Sequence, residues 1–402
     1  MSAPLLPVAD ARHMIVSRLK TVDIESVELN GALGRVLAED AVARVTHPPA
    51  NVSAMDGYAI RLADLTTSPT TLKVVGESAA GRPWDGDLNA GECVRIFTGA
   101  YVPAAADAVI IQENTTTGNG TVSINDSASP GKNIRPQAQD FRAGETLLRA
   151  PHRLTARDIG LLAAMNLPDI MVFRRPRIGV LSTGDEIALP GAPLSEGQIV
   201  SANGPGLCAF VESHGGQAIN LGVVPDDLSA LRGAISRTGS LDLLVTTGGV
   251  SVGEHDLVKR AAGEEGLQIH FHKIAMRPGK PLLFGQIQDM PFLGLPGNPV
   301  SAMVCATLFL GPALEVLQGL PGNPPDTITA RLETSLKAND DREDYIRAVL
   351  RRSENDLPIV SPLPKQDSAL VAALAQANGL IIRPPHAHAS NPGETVLVIP
   401  LN

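Results

Sequence analysis

The chain has 402 residues, more than one hydrophobic core can hold, because cores stop growing near ~250–300 residues and longer chains divide into domains. Its formal net charge of −9, without any Lys/Arg run of five or more, argues against a nucleic-acid groove or an anionic membrane surface as partner. Cys93, Cys208 and Cys305 lie far apart in apolar surroundings, which excludes a disulfide framework or CxxC metal site, and neither a leader pattern nor an apolar run of membrane-span length is read; a reducing, cytoplasmic setting is expected.

Residues 8–20 read as a helix, and residues 34–40 mix apolar and polar positions at helical spacing. A second helical pattern runs over 157–166 with Thr155 as its N-cap. Together these predict a helical framing domain of residues 1–44 and 145–176. Between its parts, short runs at 71–75, 92–97, 108–112 and 121–124, separated by Gly, Pro and Asn clusters, predict an inserted β domain at 45–144. From 177 to 322, apolar runs at 177–181, 219–224, 241–246, 268–274 and 292–295 alternate with helical stretches at 206–213, 228–238, 255–264 and 300–317. Continuously apolar strands joined by helices predict a doubly wound α/β domain whose parallel sheet is covered on both faces. Residues 323–402 return to a β pattern and predict a small barrel or sandwich. The fold class is therefore multidomain α/β plus β.

In an open parallel sheet the ligand crevice lies at the carboxyl ends of the strands, and three loops take that position. In the first, Thr246-Thr247-Gly248-Gly249-Val250-Ser251, paired glycines let the backbone approach a phosphate and hydroxyls add donors. In the second, Leu295-Pro296-Gly297-Asn298-Pro299, Asn298 is the expected N-cap and Pro299 the first helical residue, leaving N–H groups free for an anion. Either loop alone could equally be an ordinary strand-to-helix connection; together they favour a phosphorylated anionic ligand. The third, Ser182-Thr183-Gly184-Asp185-Glu186, brings two carboxylates to the same edge, where Asp226, Asp227 and Asp256 follow. Carboxylates repel phosphate, so their gathering is easiest to understand if Mg²⁺ bridges carboxylate and phosphate oxygens; Asp226 or Asp227 also suits a helix N-cap. Lys273, Arg277 and Lys280, on a segment stiffened by Pro278 and Pro281, supply local positive charge for an oxyanion.

The N-terminal half has its own segments. Residues 49–59 surround Asp56 with small side chains, the shape of a tight exposed turn rather than of a core. Ile96-Phe97-Thr98-Gly99-Ala100 runs an apolar strand into Thr-Gly, and Arg135 precedes Asp140 by a Pro-containing turn, an arrangement that is often a structural ion pair.

Read together, SAMDGYA at 53–59, IFTGA at 96–100, NIRPQAQD at 133–140, STGDE at 182–186, TTGGVSVGEHD at 246–256, RPGKP at 277–281 and LPGNPVSA at 295–302 closely resemble the molybdopterin molybdenumtransferase family, bacterial MoeA and the E domain of gephyrin. The resemblance covers nearly the whole chain. It implies a framing domain, an inserted β domain, a MogA-like α/β domain and a C-terminal β-barrel, assembled as a homodimer with its site between subunits. It implies insertion of molybdenum from molybdate into adenylylated molybdopterin, with Mg²⁺-dependent release of AMP. It implies Asp56, Thr98 and Asp140 of one subunit, with Arg135, facing Asp185, Glu186, Asp226, Asp256 and the anion loops of the other. Asp56, Thr98, Asp140 and Glu186 are the implied catalytic residues, and Asp185, Asp226 and Asp256 the implied metal ligands. The implied substrate contacts are Thr183, Gly184, Thr246, Thr247, Gly248, Gly249, Ser251, Pro296, Gly297, Asn298 and Pro299, with Lys273, Arg277, Lys280, Arg347 and Ser368 for molybdate. A MogA-like adenylyltransferase and molybdoenzyme chaperones are the implied partners. Arg277 stands where Lys is commoner, Ala138-Gln139 where Gly-Glu is usual, and Ala372-Ala373 where the family has a Ser-containing stretch. Two rival readings share parts of this pattern: a MogA-like adenylyltransferase, which lacks SAMDGYA and the barrel, and a non-catalytic gephyrin-like scaffold.

Overall fold

The computed structural model describes residues 5–401 except 226, 228, 231, 232, 235–239, 249–265 and 355. The chain forms two compact units, one of residues 26–33 and 39–171, the other of residues 1–25, 34–38 and 172–402.

The first unit is built on a six-stranded sheet ordered Ala108–Ile111, Gly57–Ile60, Glu92–Ile96, Thr70–Ser78, Thr121–Ile124 and Thr115–Gly118. Side chains alternate across a strand, so Tyr58 and Ile60 pack on one face with Leu72, Cys93 and Ile110, while Ala59 packs on the other with Val94, Ile96 and Val109. Residues 57–60 are thus core, not part of the exposed turn expected over 49–59. Small residues there serve packing: a Cβ on Gly57 would lie 1.9 Å from the Ile110 carbonyl oxygen. The helix Ala156–Ala164 begins where expected, with a capping box in which the Thr155 N–H and hydroxyl both donate to the Asp158 carboxylate at 2.7 Å.

In the second unit the expected helix at 8–20 is shorter, Val8–Val16, and the helical spacing of 34–40 resolves instead into the two-residue strand Val36–Leu37. The α/β sheet runs Gln217–Val224, Arg177–Thr183, Leu243–Thr247, Met290–Leu295, Leu283–Ile287, Leu267–His272. The first four are parallel, but the last two join antiparallel, so the sheet is mixed rather than wholly parallel. The cause is a hairpin in which Ile287 pairs with Met290 across Gln288-Asp289, with Gln288 at φ 52°; the left-handed backbone suits a two-residue turn, without the Asn-Gly signature that would announce it. The predicted helices at 228–238 and 255–264 fall largely or wholly outside the described residues.

The long helix Pro299–Leu317 is 19 residues of mean hydropathy 1.9, long and apolar enough to cross a membrane by length and composition, contrary to the expectation that no run reaches that length. Most of it is buried in the unit's core, among Val8, Ile15, Phe271, Leu380 and Ile399. Its middle, Ala306–Leu310, is a π turn ahead of Gly311-Pro312, which accommodates a proline that has no N–H to donate.

The C-terminal strands Glu343–Arg351, Ile359–Pro362, Ile328–Leu332, Thr395–Pro400 and Gly379–Arg383 follow one another in the sheet, and the last pairs back with the first. They close a five-stranded barrel, deciding between barrel and sandwich. Met276–Arg277 pairs alongside Glu343 and Asp344, extending the barrel sheet with a strand from the α/β part. Thr155→Ala is expected to lower the unfolding free energy of the first unit by about 1 kcal/mol, read as a lower denaturant midpoint with an unchanged slope.

Candidate functional site

The carboxyl ends of Arg177–Thr183, Leu243–Thr247 and Met290–Leu295 bring Thr183, Thr247 and Leu295 to one edge of the sheet. A cavity of about 810 Å³ opens there, bounded by Thr183, Gly184, Glu186, Thr247, Gly248, Lys273, Lys280, Pro296, Gly297, Asn298 and Pro299 among others. Its floor depends on close backbone approach. Gly248 has φ +95°, and a Cβ on it would stand 2.4 Å from the Thr183 carbonyl oxygen; one on Gly297 would sit 3.5 Å from the Gly248 Cα. Gly184, at φ +141°, leaves room for Glu186, whose carboxylate a Cβ would meet at 2.6 Å.

Asn203, which the sequence reading missed, ties these loops together. Its Nδ2 donates to the Thr247 hydroxyl and to the Gly297 carbonyl, both at 2.7 Å, and the Thr247 hydroxyl donates to the Pro296 carbonyl at 3.1 Å. The residue sits in Ser201-Ala202-Asn203-Gly204-Pro205-Gly206 at the start of the helix Asn203–Ser213; an Asn before a Gly-Pro-Gly helix start was the available signal. Asn203 Oδ1 and the buried hydroxyls of Thr183 and Thr246 have no hydrogen-bond partner among the described residues. Buried polar atoms without partners are costly; of these residues, Thr183 and Asn203 line the cavity.

Lys273 and Lys280 line the same cavity and neither has an ion-pair partner among the described residues. Lys273 is held at φ 74°, its N–H donating to the Leu282 carbonyl, and the Ile274 N–H donates to the Lys280 carbonyl. Arg277 lies elsewhere: it donates to Asp344 at 2.6 Å and to Asp340 at 3.1 Å, and the Asp344 hydrogen bond raises its pKa above the ordinary arginine value. Asn298 is the N-cap and Pro299 the first helical residue, but the Asn298 amide donates to the Ser368 hydroxyl at 2.8 Å, and the Val300 N–H donates to the Ser368 carbonyl. The helix end is therefore partly satisfied by the barrel segment rather than left open as expected. Arg347 is buried in the barrel with its N–H and Nε donating to Gln366, and its Nη1 has no partner among the described residues; burial lowers its pKa, against the opposing pull of Asp367.

Among the carboxylates, Glu186 lines the cavity and Asp185 is exposed on the adjoining turn. Asp227 accepts the Ala230 N–H at 2.8 Å, a capping role. Asp226, Gly249, Ser251 and Asp256 lie outside the described residues, and no group of three His, Cys, Asp or Glu suited to a metal occurs among the described ones.

In the other unit, Asp56 accepts the backbone N–H and the hydroxyl of Thr98, each at 2.7 Å. The backbone bond, then the hydroxyl bond, hold its carboxyl below the usual range. Arg135 is exposed on a strand paired with Val52–Ser53, and Asp140 is exposed with its N–H donating to the His47 carbonyl; no ion pair links the two among the described residues.

Three family profiles match in order: "MoeA N-terminal region (domain I and II)" over residues 6–166, "Probable molybdopterin binding domain" over 179–316 and "MoeA C-terminal region (domain IV)" over 329–401. They define the class, an enzyme of molybdenum cofactor biosynthesis with the MoeA domain series. The molybdopterin molybdenumtransferase of Haemophilus influenzae is 36% identical over 402 residues, covering 99% of both chains. That of Nostoc sp. is 36% identical over 411 residues, covering 99% of this chain and 94% of its own. A crystal structure of a molybdopterin biosynthesis MoeA protein from Pyrococcus horikoshii superposes with a TM-score of 0.85 at 32% identity, covering 99% of this chain and 100% of that one. The chain belongs to the molybdopterin molybdenumtransferase family and is a transferase.

Gly248→Ala is expected to weaken inorganic pyrophosphate binding at least about tenfold by calorimetry, because the left-handed backbone and the Thr183 carbonyl leave no space for a methyl group. Thr98→Val keeps the backbone donor and loses only the hydroxyl, so carboxyl NMR titration is expected to find the Asp56 pKa raised part of the way towards its ordinary value; no rise would show that the hydroxyl contributes nothing.

Proposed function

We propose that this chain inserts molybdenum from molybdate into adenylylated molybdopterin and releases AMP, with Mg²⁺ required. The observation that carries the reading is the cavity itself, with Lys273 and Lys280, which have no ion-pair partner among the described residues, on its wall, and with the buried Thr183 hydroxyl, which has no hydrogen-bond partner among them, in its lining. The backbone of Gly248 and Gly297 and the Thr247–Asn203 pair would cradle the pyrophosphate. Lys273 and Lys280 would neutralise molybdate, a tetrahedral dianion, with Arg347 behind the Ser368 segment adding a further cation. Mg²⁺ takes one or two carboxylates plus phosphate oxygens and water, and Glu186 with Asp185 matches that donor set. Bound there it would offset charge on the pyrophosphate during cleavage. No side chain need act as a nucleophile; water or a molybdate oxygen completes the cleavage.

The same reading makes the protein a cytoplasmic homodimer that takes substrate from a MogA-like adenylyltransferase and passes cofactor to molybdoenzyme chaperones. In it, Asp56, Thr98, Arg135 and Asp140 of one subunit serve the cavity of the other. The Asp56 carboxylate, kept ionised by Thr98, suits a role in orienting the metal or water.

Purified protein given adenylylated molybdopterin, molybdate and Mg²⁺ is expected to release AMP and to yield cofactor that activates an apo-molybdoenzyme, and a chelator is expected to stop it; no AMP release would overturn the assignment. Asp56→Asn and Lys280→Ala are each expected to lower turnover at least about 100-fold, some 2.7 kcal/mol of carboxylate or lysine stabilisation of the transition state. Mixing the two variants restores part of the activity through heterodimers, and failure to do so while subunits exchange would place both residues in one subunit's site.

A further inference from the structure

Arg95, on the strand Glu92–Ile96, holds the turn that presents Asp56. Its Nη1 donates to the Gly57 carbonyl at 3.1 Å and its Nη2 to the Gln112 side-chain oxygen at 2.6 Å, while the Gln112 N–H donates to the Asp56 carbonyl at 3.1 Å. Two successive carbonyls of the turn are thus tied, one by Gln112 and one by Arg95, and the two ties are joined to each other. Thr98, just beyond the same strand, takes the Asp56 carboxylate. The segment 95–98 therefore grips Asp56 by its backbone and by its side chain. The guanidinium is itself held. Side chains two apart on a strand share a face, which puts Arg95 beside Phe97, and the buried Tyr58 is the partner of Arg95 in the antiparallel ladder. The guanidinium carbon stands 4.8 Å from the Phe97 ring centroid and 5.1 Å from that of Tyr58, within cation–π range of both. A planar fork suits this place and an ammonium does not, since only the fork stacks on rings and reaches two acceptors at once.

We infer that Arg95 is a positioning residue: its guanidinium, stacked on Tyr58 and Phe97, fixes the Asp56 turn so that the carboxylate stays on Thr98 with one oxygen left to offer. The inference rests on the proposed role of Asp56. Both Thr98 bonds fall on Oδ1 of Asp56, and Oδ2 has no hydrogen bond among the described residues. Arg95 makes no ion pair among them either; its donors go to a carbonyl and an amide oxygen. A half-buried arginine without a carboxylate partner contributes geometry and field rather than a salt bridge. Behind the Thr98 backbone and hydroxyl bonds, its charge adds to what keeps the Asp56 carboxyl below the usual range. Arg95 acts through Asp56 and need not touch the reacting groups.

Arg95→Met keeps an apolar stem against the two rings and removes the fork. It is expected to lower kcat for AMP release about tenfold with KM for the adenylylated substrate within about twofold, the pattern of an interaction realised in the transition state. In the Asp56→Asn background the same substitution is expected to change kcat by less than about twofold, because no carboxylate is left to position. A tenfold loss that persists in that background, or an unaltered kcat in Arg95→Met, overturns the inference. Arg95→Lys, which keeps a cation beside the rings but only a point donor, is expected to stay at least about threefold below the unaltered protein; full activity would show that the fork is not needed and overturn it too. Hydrogen exchange on the substrate-free protein tests the same geometry without turnover. In Arg95→Met the Thr98 amide is expected to exchange about tenfold faster, with the Val109 amide of the core unchanged. Unchanged exchange at Thr98 overturns the inference whatever the protein acts on, whereas absence of AMP release from the unaltered protein overturns the proposed function and leaves the exchange result standing.

Discussion

The site depends on backbone meeting backbone. Where Gly248 passes the Thr183 carbonyl, the loops of two strands share a space that a single methyl group would fill, and Gly297 of a third lies in contact distance of Gly248. The parallel sheet supplies the alignment, by ending its strands at one edge, and Asn203 locks it by bonding two of the loops at once. Lys273, Lys280 and the Thr183 hydroxyl, which has no partner among the described residues, are arranged around that contact. A cradle of this kind is set by conformation before any ligand arrives, which is the economical way to bind a rigid polyanion.

How much of this could be read beforehand depended on whether the signal was local. The paired glycines, Thr155 before its helix, and Asn298-Pro299 at a helix start are written in neighbouring residues, and they were legible. The five-stranded barrel was legible as alternating β pattern, though closure depends on Glu343–Arg351 meeting Gly379–Arg383, a pairing between distant segments. The antiparallel pairings at one edge of the α/β sheet were not legible, because Gln288-Asp289 makes a tight turn without the usual residues. Residues 57–59, expected in an exposed turn, are core for a related reason: at Gly57, smallness imposed by the Ile110 carbonyl looks the same in sequence as smallness at an exposed turn.

Charge was the least legible quantity. Lys273, Arg277 and Lys280 stand within eight residues and read alike, yet two line the cavity and the third is occupied by Asp340 and Asp344. What separates them is the strand Met276–Arg277, which the barrel draws alongside Glu343 and Asp344 and which carries Arg277 to those acids. Ser368 shows the same influence from the other direction, taking up an amide and an N–H at the start of the long helix. The barrel is consequently part of the cavity's construction, and residues on its loops bear on ligand geometry without having to touch the ligand.

The helix Pro299–Leu317 has a consequence for how the molecule is made. Its covering residues come from both ends of the chain: Val8 and Ile15 leave the ribosome long before it, Leu380 and Ile399 long after. During synthesis the cover from Leu380 and Ile399 is the last to arrive, and the core around the helix is completed once the final barrel strand has emerged. Maturation of this unit is thereby tied to the end of translation, because a chain interrupted before its last strands would leave uncovered the part of the helix that meets Leu380 and Ile399.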